Sequence, residues 1–248
     1  MMMRTIYRHV VLEFGEFPWM VAILLKPEPT YIGGGSLLAP NIVLTAAHKV
    51  DSLAGDRLLI PAGEWDLATN EEIYPHIDRN VSEILIHDNY SKAANANNIA
   101  LLVLELSLSH NPHISPICLP TAPASVDVHI DHANCIAMGW GRRSRAYRQP
   151  VNVLKELTIP LAPRTECIQM LQAMTHGPFE SMRATSPLVC PTVAQPNRYY
   201  QIGIVAWGLD CNLGRVPAVY SNVSYLMPWL SQQLNRLRID PNIILYNR

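Results

Sequence analysis

Short apolar runs, each closed by turn residues, fill the chain from Gly15 to Asn222. Runs of four to eight residues between Gly, Pro and Asn clusters make strands and are too short for helices of any length. Gly15-Glu16-Phe17-Pro18-Trp19 reads as a turn entering a buried strand that continues to Leu25, and Pro27 and Pro29 break it. Further strands are expected at residues 31–38, 42–45, 58–60, 81–87 and 100–106. The second half repeats the style at 135–140, 153–160, 188–191, 199–207 and 218–222. Such regular short spacing is the pattern of closed all-β barrels. The period then changes. Tyr225, Leu226, Trp229, Leu230, Gln233, Leu234 and Leu237 fall mostly on one helical face, with Ser224 placed to cap it and Pro228 tolerable only near its first turn.

The composition supports a globular unit and excludes several partners. Of 248 residues, 49% are hydrophobic, enough for a core. A net charge of −1 leaves no electrostatic case for nucleic acid or an anionic membrane surface. No run of 18 apolar residues occurs, so no helical span is expected. Met1 to Val10 carries Arg4 and Arg8 without a continuous apolar stretch, so it is not read as a signal peptide. Sequons begin at Asn80, Asn89 and Asn222 and are compatible with secretion. The five cysteines are an odd number, which in a secreted chain points to an intermolecular bond or lost partners.

The chemistry-bearing stretch is Leu44-Thr45-Ala46-Ala47-His48, preceded by Gly34-Gly35-Ser36-Leu37-Leu38. Small alanines end a buried strand and set an imidazole, whose pKa lies near physiological pH, at its mouth. Together these segments resemble the histidine signature of the chymotrypsin/trypsin-like serine proteases. Gly63-Glu64-Trp65-Asp66, Pro75-His76-Ile77-Asp78-Arg79, Ile84-Leu85-Ile86-His87, Pro116-Ile117-Cys118-Leu119-Pro120, Met138-Gly139-Trp140-Gly141, Pro187-Leu188-Val189-Cys190 and Ala206-Trp207-Gly208 follow in order. They resemble the arthropod clip-domain proteases and protease homologues. The resemblance implies an all-β fold: a trypsin-like double six-stranded β-barrel with a C-terminal helix. It divides the chain into an N-terminal remnant 1–13, a peptidase-like unit 14–237 and a tail 238–248. Within the unit the first barrel is 14–120, the second 121–223 and the helix 224–237.

Serine acyl transfer needs a hydroxyl, an imidazole base and a carboxylate that fixes the ring tautomer. His48 matches the base. The carboxylate of the family precedes Ile-Ala-Leu-Leu, where this chain has Asn98. In that family the exchange lowers kcat about 10⁴-fold. The nucleophile motif falls on Met182-Arg183-Ala184-Thr185-Ser186-Pro187, which puts Ala184 at the serine position. Ser186 matches the serine that non-catalytic clip homologues carry before this proline, and reads as a hydroxyl in a turn. Met182 replaces the oxyanion-hole glycine, and Arg183 replaces the aspartate that receives a newly cut N-terminus. Nine residues before Gly15, Ile6-Tyr7-Arg8-His9 stands where activated proteases read Ile-Val-Gly-Gly.

By the same resemblance, Cys135 and Cys190 form a disulfide. Gly33 and Lys49 replace both ends of the bond beside the histidine. Cys167 and Cys211 have lost their partners, which in relatives lie in a stretch missing between Cys167 and Cys190. The acidic floor of the specificity pocket lies in that stretch too. A true deletion and a skipped exon in the gene model both account for the gap. Cys118 in this family bonds an upstream segment, so the resemblance implies a precursor with a signal peptide and more chain before Met1.

Two His-x-x-His pairs, His110/His113 and His129/His132, with Asp127 and Asp131 beside the second, have helical zinc spacing. The prolines around them argue for solvated interdomain loop, so no metal and no cofactor is expected. Arg142-Arg143-Ser144-Arg145 with Arg148 reads as a solvated loop, and as a contact for an acidic partner only in second place. Trp65, Trp140, Trp207 and Trp229 read as core or barrel-edge packing. The resemblance therefore implies a secreted pseudoprotease that works by binding proteins. It would be a cofactor or regulator in an extracellular cascade such as prophenoloxidase activation, with a clip-domain protease or its zymogen substrate as partner. The alternative is an active trypsin-like serine endopeptidase whose nucleophile segment is missing from the gene model.

Overall fold

The structure is a computed structural model and describes residues 9–120, 130–140, 152–173, 186–207 and 218–240. The first half closes into a barrel. Its strands are β2 (Met20–Leu25), β3 (Thr30–Ala39), β4 (Ile42–Thr45), β5 (Leu58–Ala62), β6 (Ile77–Ile86) and β7 (Ala100–Leu104). They pair antiparallel in the order β2-β3-β4-β7-β6-β5. Closure leaves no free edge and buries alternate side chains inward. Ala22, Ile23, Leu37, Ile42, Val43, Leu44, Ile60, Leu101 and Leu102 are at most 1% exposed.

The second half is a sheet of six strands. β1 (His9–Val11) pairs with β9 (Lys155–Ile159), and β8 (Cys135–Gly139), β10 (Pro187–Pro191), β11 (Tyr199–Trp207) and β12 (Val219–Asn222) follow in the order β1-β9-β8-β10-β11-β12. The arrangement is that of the trypsin-like double barrel, with the N-terminal segment lending a strand to the opposite half. This sheet's separate buried cluster is small: Ile130, Cys135, Leu188 and Cys190, with Ala137, Leu161, Tyr200, Ile202 and Tyr220 only partly covered around it.

Polar contacts join the halves. Ser36 Oγ on β3 donates to Gln201 Oε1 on β11, and Gln201 Nε2 donates to Gly203 O at 3.2 Å. Trp140, 1% exposed, donates its indole N–H to Trp65 O at 3.0 Å.

Among the described residues there are three α-helices, α1 (Ala47–Val50), α2 (Arg164–Ala173) and α3 (Val223–Arg236), and a 3-10 turn at Gly55–Arg57. The terminal helix begins one residue earlier than the periodicity suggests. Its cap is Asn222, whose Oδ1 accepts from Tyr225 N at 3.2 Å, and not Ser224. Ser224 lies inside the helix, two residues past the capping position. Pro228 therefore falls in the second turn. Trp229 stacks on His87 with centroids 5.3 Å apart, and Arg236 pairs with Glu83, fastening α3 to the first barrel. No described helix is long and apolar enough to cross a membrane.

Candidate functional site

Strand β4 sets the site. Gly35 on β3 lies so close to it that a Cβ there would come 2.7 Å from Val43 Cγ1 and 3.0 Å from Leu44 O. Only glycine permits this approach. Thr45 Oγ1 donates to Gly34 O at 3.0 Å. Ala46 and Ala47 are wholly buried, and the short α1 then lifts His48 to a half-buried position.

Asn98 is wholly buried at the entrance of β7. Its Oδ1 accepts the backbone N–H of His48 at 2.9 Å, and its Nδ2 lies 2.9 Å from His48 Nδ1. Oδ1 is also 3.2 Å from Nδ1. The backbone N–H settles which way the amide faces, because it needs an acceptor and only Oδ1 can serve. The NH2 of Asn98 is then the closer group to Nδ1, and when it donates there the ring proton sits on Nε2. Ser221 Oγ on β12 donates to Asn98 O at 3.2 Å, so the second sheet also holds this residue.

Ser186 is engaged elsewhere. Its Oγ accepts from Met138 N at 3.1 Å and donates to Met138 O, bridging the start of β10 to β8. Ala184, Met182, Arg183, Ile6 and Cys211 lie outside the described residues, as do Asp127, His129 and the basic run from Arg142 to Arg148. Cys135 and Cys190 are joined by a disulfide with a sequence separation of 55. Cys118 is buried and Cys167 half-buried, and neither is in a disulfide.

The first histidine pair does not gather as ligands, and the second lies partly outside the described residues. His110 is exposed, whereas His113 is buried and stacks on Phe14 and Tyr74 at 5.5 and 5.3 Å. Asp131 closes its own turn, accepting from Ala133 N at 3.0 Å and Asn134 Nδ2 at 2.8 Å.

Among the described residues a different cluster forms, between β5 and β6: Glu64, Glu72 and His76, with donor atoms within 4.8 Å of one another. These three could hold a cation. Burial, then the hydrogen bond and charge of Glu72, push the Glu64 carboxyl up to about 8. Burial raises Glu72 as well, but the hydrogen bond from Glu64 and two backbone N–H groups outweigh it, and its carboxyl titrates below the usual value. The proton between them therefore stays on Glu64. His76 Nδ1 is 3.1 Å from Glu64 Oε2. The sequence reading missed this cluster because its members sit at irregular spacing in a loop. The signal was faint: a buried acid in Gly63-Glu64 and a histidine twelve residues on. The loop needs a glycine where it starts, since Gly63 has φ +77° and a Cβ there would lie 2.4 Å from His113 Cδ2.

Comparison with known proteins agrees with this geometry. The trypsin family model matches residues 8–230. Phenoloxidase-activating factor 2 of Galleria mellonella is 37% identical over 94% of this chain and 86% of its own length. Inactive CLIP domain-containing serine protease A8 of Anopheles gambiae is 32% identical over 88% of this chain, and the similarly named A28 is 33% identical over 90%. This chain spans 65% and 62% of those two mosquito proteins. With a six-stranded barrel, a second sheet, a terminal helix and a histidine at the mouth of β4, the chain belongs to the trypsin family, on its branch of clip-domain protease homologues.

Proposed function

We propose that this protein is a secreted pseudoprotease that acts by binding. It serves as a cofactor or regulator in an extracellular protease cascade, of the phenoloxidase-activating kind that one relative's name describes. Its partner is a clip-domain protease or a prophenoloxidase-type zymogen, and neither nucleic acid nor a membrane is involved.

The observation that carries this reading is the hydrogen bonding of Asn98 to His48. An imidazole that accepts at Nδ1 carries its proton on Nε2, the atom that must be free to take a proton from a nucleophile. The amide also lacks the charge that steadies an imidazolium. Ser186 supports the same reading, since its hydroxyl is occupied by the backbone of β8. The relatives named inactive point the same way.

The test has two arms. Purified protein is offered tripeptide ester and amide substrates beside a His48→Ala variant; equal, background hydrolysis is expected. The protein is then added to an active clip protease and its prophenoloxidase substrate; a rise or fall in phenoloxidase activity is expected, with direct binding between the proteins. Hydrolysis abolished by His48→Ala would overturn the first half of the reading, and no binding to any cascade component the second.

A further inference from the structure

From the placement of the three sequons, we infer that Asn89 is the N-glycosylated residue of this protein and that its glycan stands on the rim of the His48–Asn98 site. The inference rests on the extracellular reading above.

A sequon is modified where its backbone can turn and its amide is accessible, which means a surface loop. All three asparagines are exposed, and they differ in what holds their side chains and backbone. Asn80 lies within β6, in register with Leu59 of β5. Both ends of its carboxamide are taken: Lys26 Nζ donates to Oδ1 at 3.0 Å, and Nδ2 donates to Glu105 Oε2 at 3.1 Å. Its sequon hydroxyl, Ser82 Oγ, donates to Val103 O at 3.0 Å across the ladder. Asn222 caps α3 through Tyr225 N, and the middle residue of its sequon, Val223, is wholly buried in the first helical turn.

Asn89 is unlike both. It lies outside any strand or helix, past the end of β6, in a turn closed by Tyr90 N donating to His87 O at 2.8 Å. Its side-chain amide has no hydrogen bond among the described residues, while its backbone is held: Asn89 N donates to His87 Nδ1 at 3.1 Å, and Asn97 Nδ2 donates to Asn89 O at 3.0 Å. The amide thus projects from an anchored turn. Asn97 directly precedes Asn98, and Lys92 Nζ pairs with Asp51 Oδ2 at 2.9 Å, just after the helix that bears His48. A glycan here crowds the mouth where a peptide would enter and leaves the faces away from that rim for a partner.

The chain is expressed in insect cells behind a heterologous secretion signal, so the sequons meet the glycosylating enzyme whether or not the native precursor is secreted. Enzymatic deglycosylation in ¹⁸O-labelled water then marks each occupied asparagine for mass spectrometry. The mark is expected on Asn89 and not on Asn80 or Asn222. Asn89→Gln and Ser91→Ala should each abolish the glycan mobility shift, and Asn80→Gln and Asn222→Gln should leave it. Secreted protein without the mark on Asn89, or with equal marks on Asn80 or Asn222, would overturn the inference. Because mass spectrometry reads the unaltered chain, a variant that fails to fold does not blunt the test. Localisation of the native precursor, measured separately, tests the extracellular reading by itself.

Discussion

The hydroxyl of Ser186 is hydrogen-bonded to both backbone groups of Met138, accepting the N–H at 3.1 Å and donating to the carbonyl. A side chain thereby extends the ladder between β8 and β10 by one rung, in a position the family associates with the nucleophile loop.

Ser186→Ala leaves two partly buried backbone groups without that rung. Stability should fall by about 1–3 kcal/mol, read as a lower urea midpoint at unchanged slope. Labelling by a serine-directed fluorophosphonate should be absent in both proteins. A labelled parent that loses its label in the variant would show that the hydroxyl is a nucleophile.

Asn98→Asp should reverse the histidine tautomer. A carboxylate accepts from Nδ1–H and cannot donate, so the ring proton moves from Nε2 to Nδ1. Ring ¹⁵N shifts of His48 should report Nε2–H in the parent and Nδ1–H in the variant. Peptide ester hydrolysis should stay at background in both, if Ala184 stands at the nucleophile position as the motif resemblance implies.

The second sheet leans on its disulfide. Its separate cluster has four buried members, and two of them are Cys135 and Cys190. Replacing both with serine should destabilise the fold by about 4 kcal/mol, the loop entropy expected for a separation of 55. Thermal unfolding should then show the second half melting before the closed first barrel.

Glu64 should make stability depend on pH. Its folded pKa of about 8 lies above the ordinary value of 4.5, so the folded protein holds this proton more tightly than the unfolded chain. The contribution is fully present below 4.5 and is lost as pH rises through about 8. Glu72 is lowered, so it is ionised in both states above its ordinary value and adds no slope there. Between pH 6 and 9 the melting temperature of the parent should fall more steeply than that of Glu64→Gln. Equal slopes would place the shared proton elsewhere.

Periodicity and turn residues in the sequence alone were enough for the β-rich fold and the terminal helix, because strand alternation and the 3.6-residue face are local properties. Motif order singled out His48 and Asn98, which the structure brings into hydrogen-bond contact, and the amide is legible from residue identity. The helix α2 was missed: Cys167, Ile168, Met170 and Leu171 run nearly together and mark no single face. β1 was missed because a three-residue strand is set by its partner β9 and has no pattern of its own. Tertiary structure alone decided which way the Asn98 amide points, what occupies the Ser186 hydroxyl and that Glu64, Glu72 and His76 meet. Each depends on hydrogen-bond directions and close approaches between segments far apart in the chain, and no spacing along a sequence encodes those.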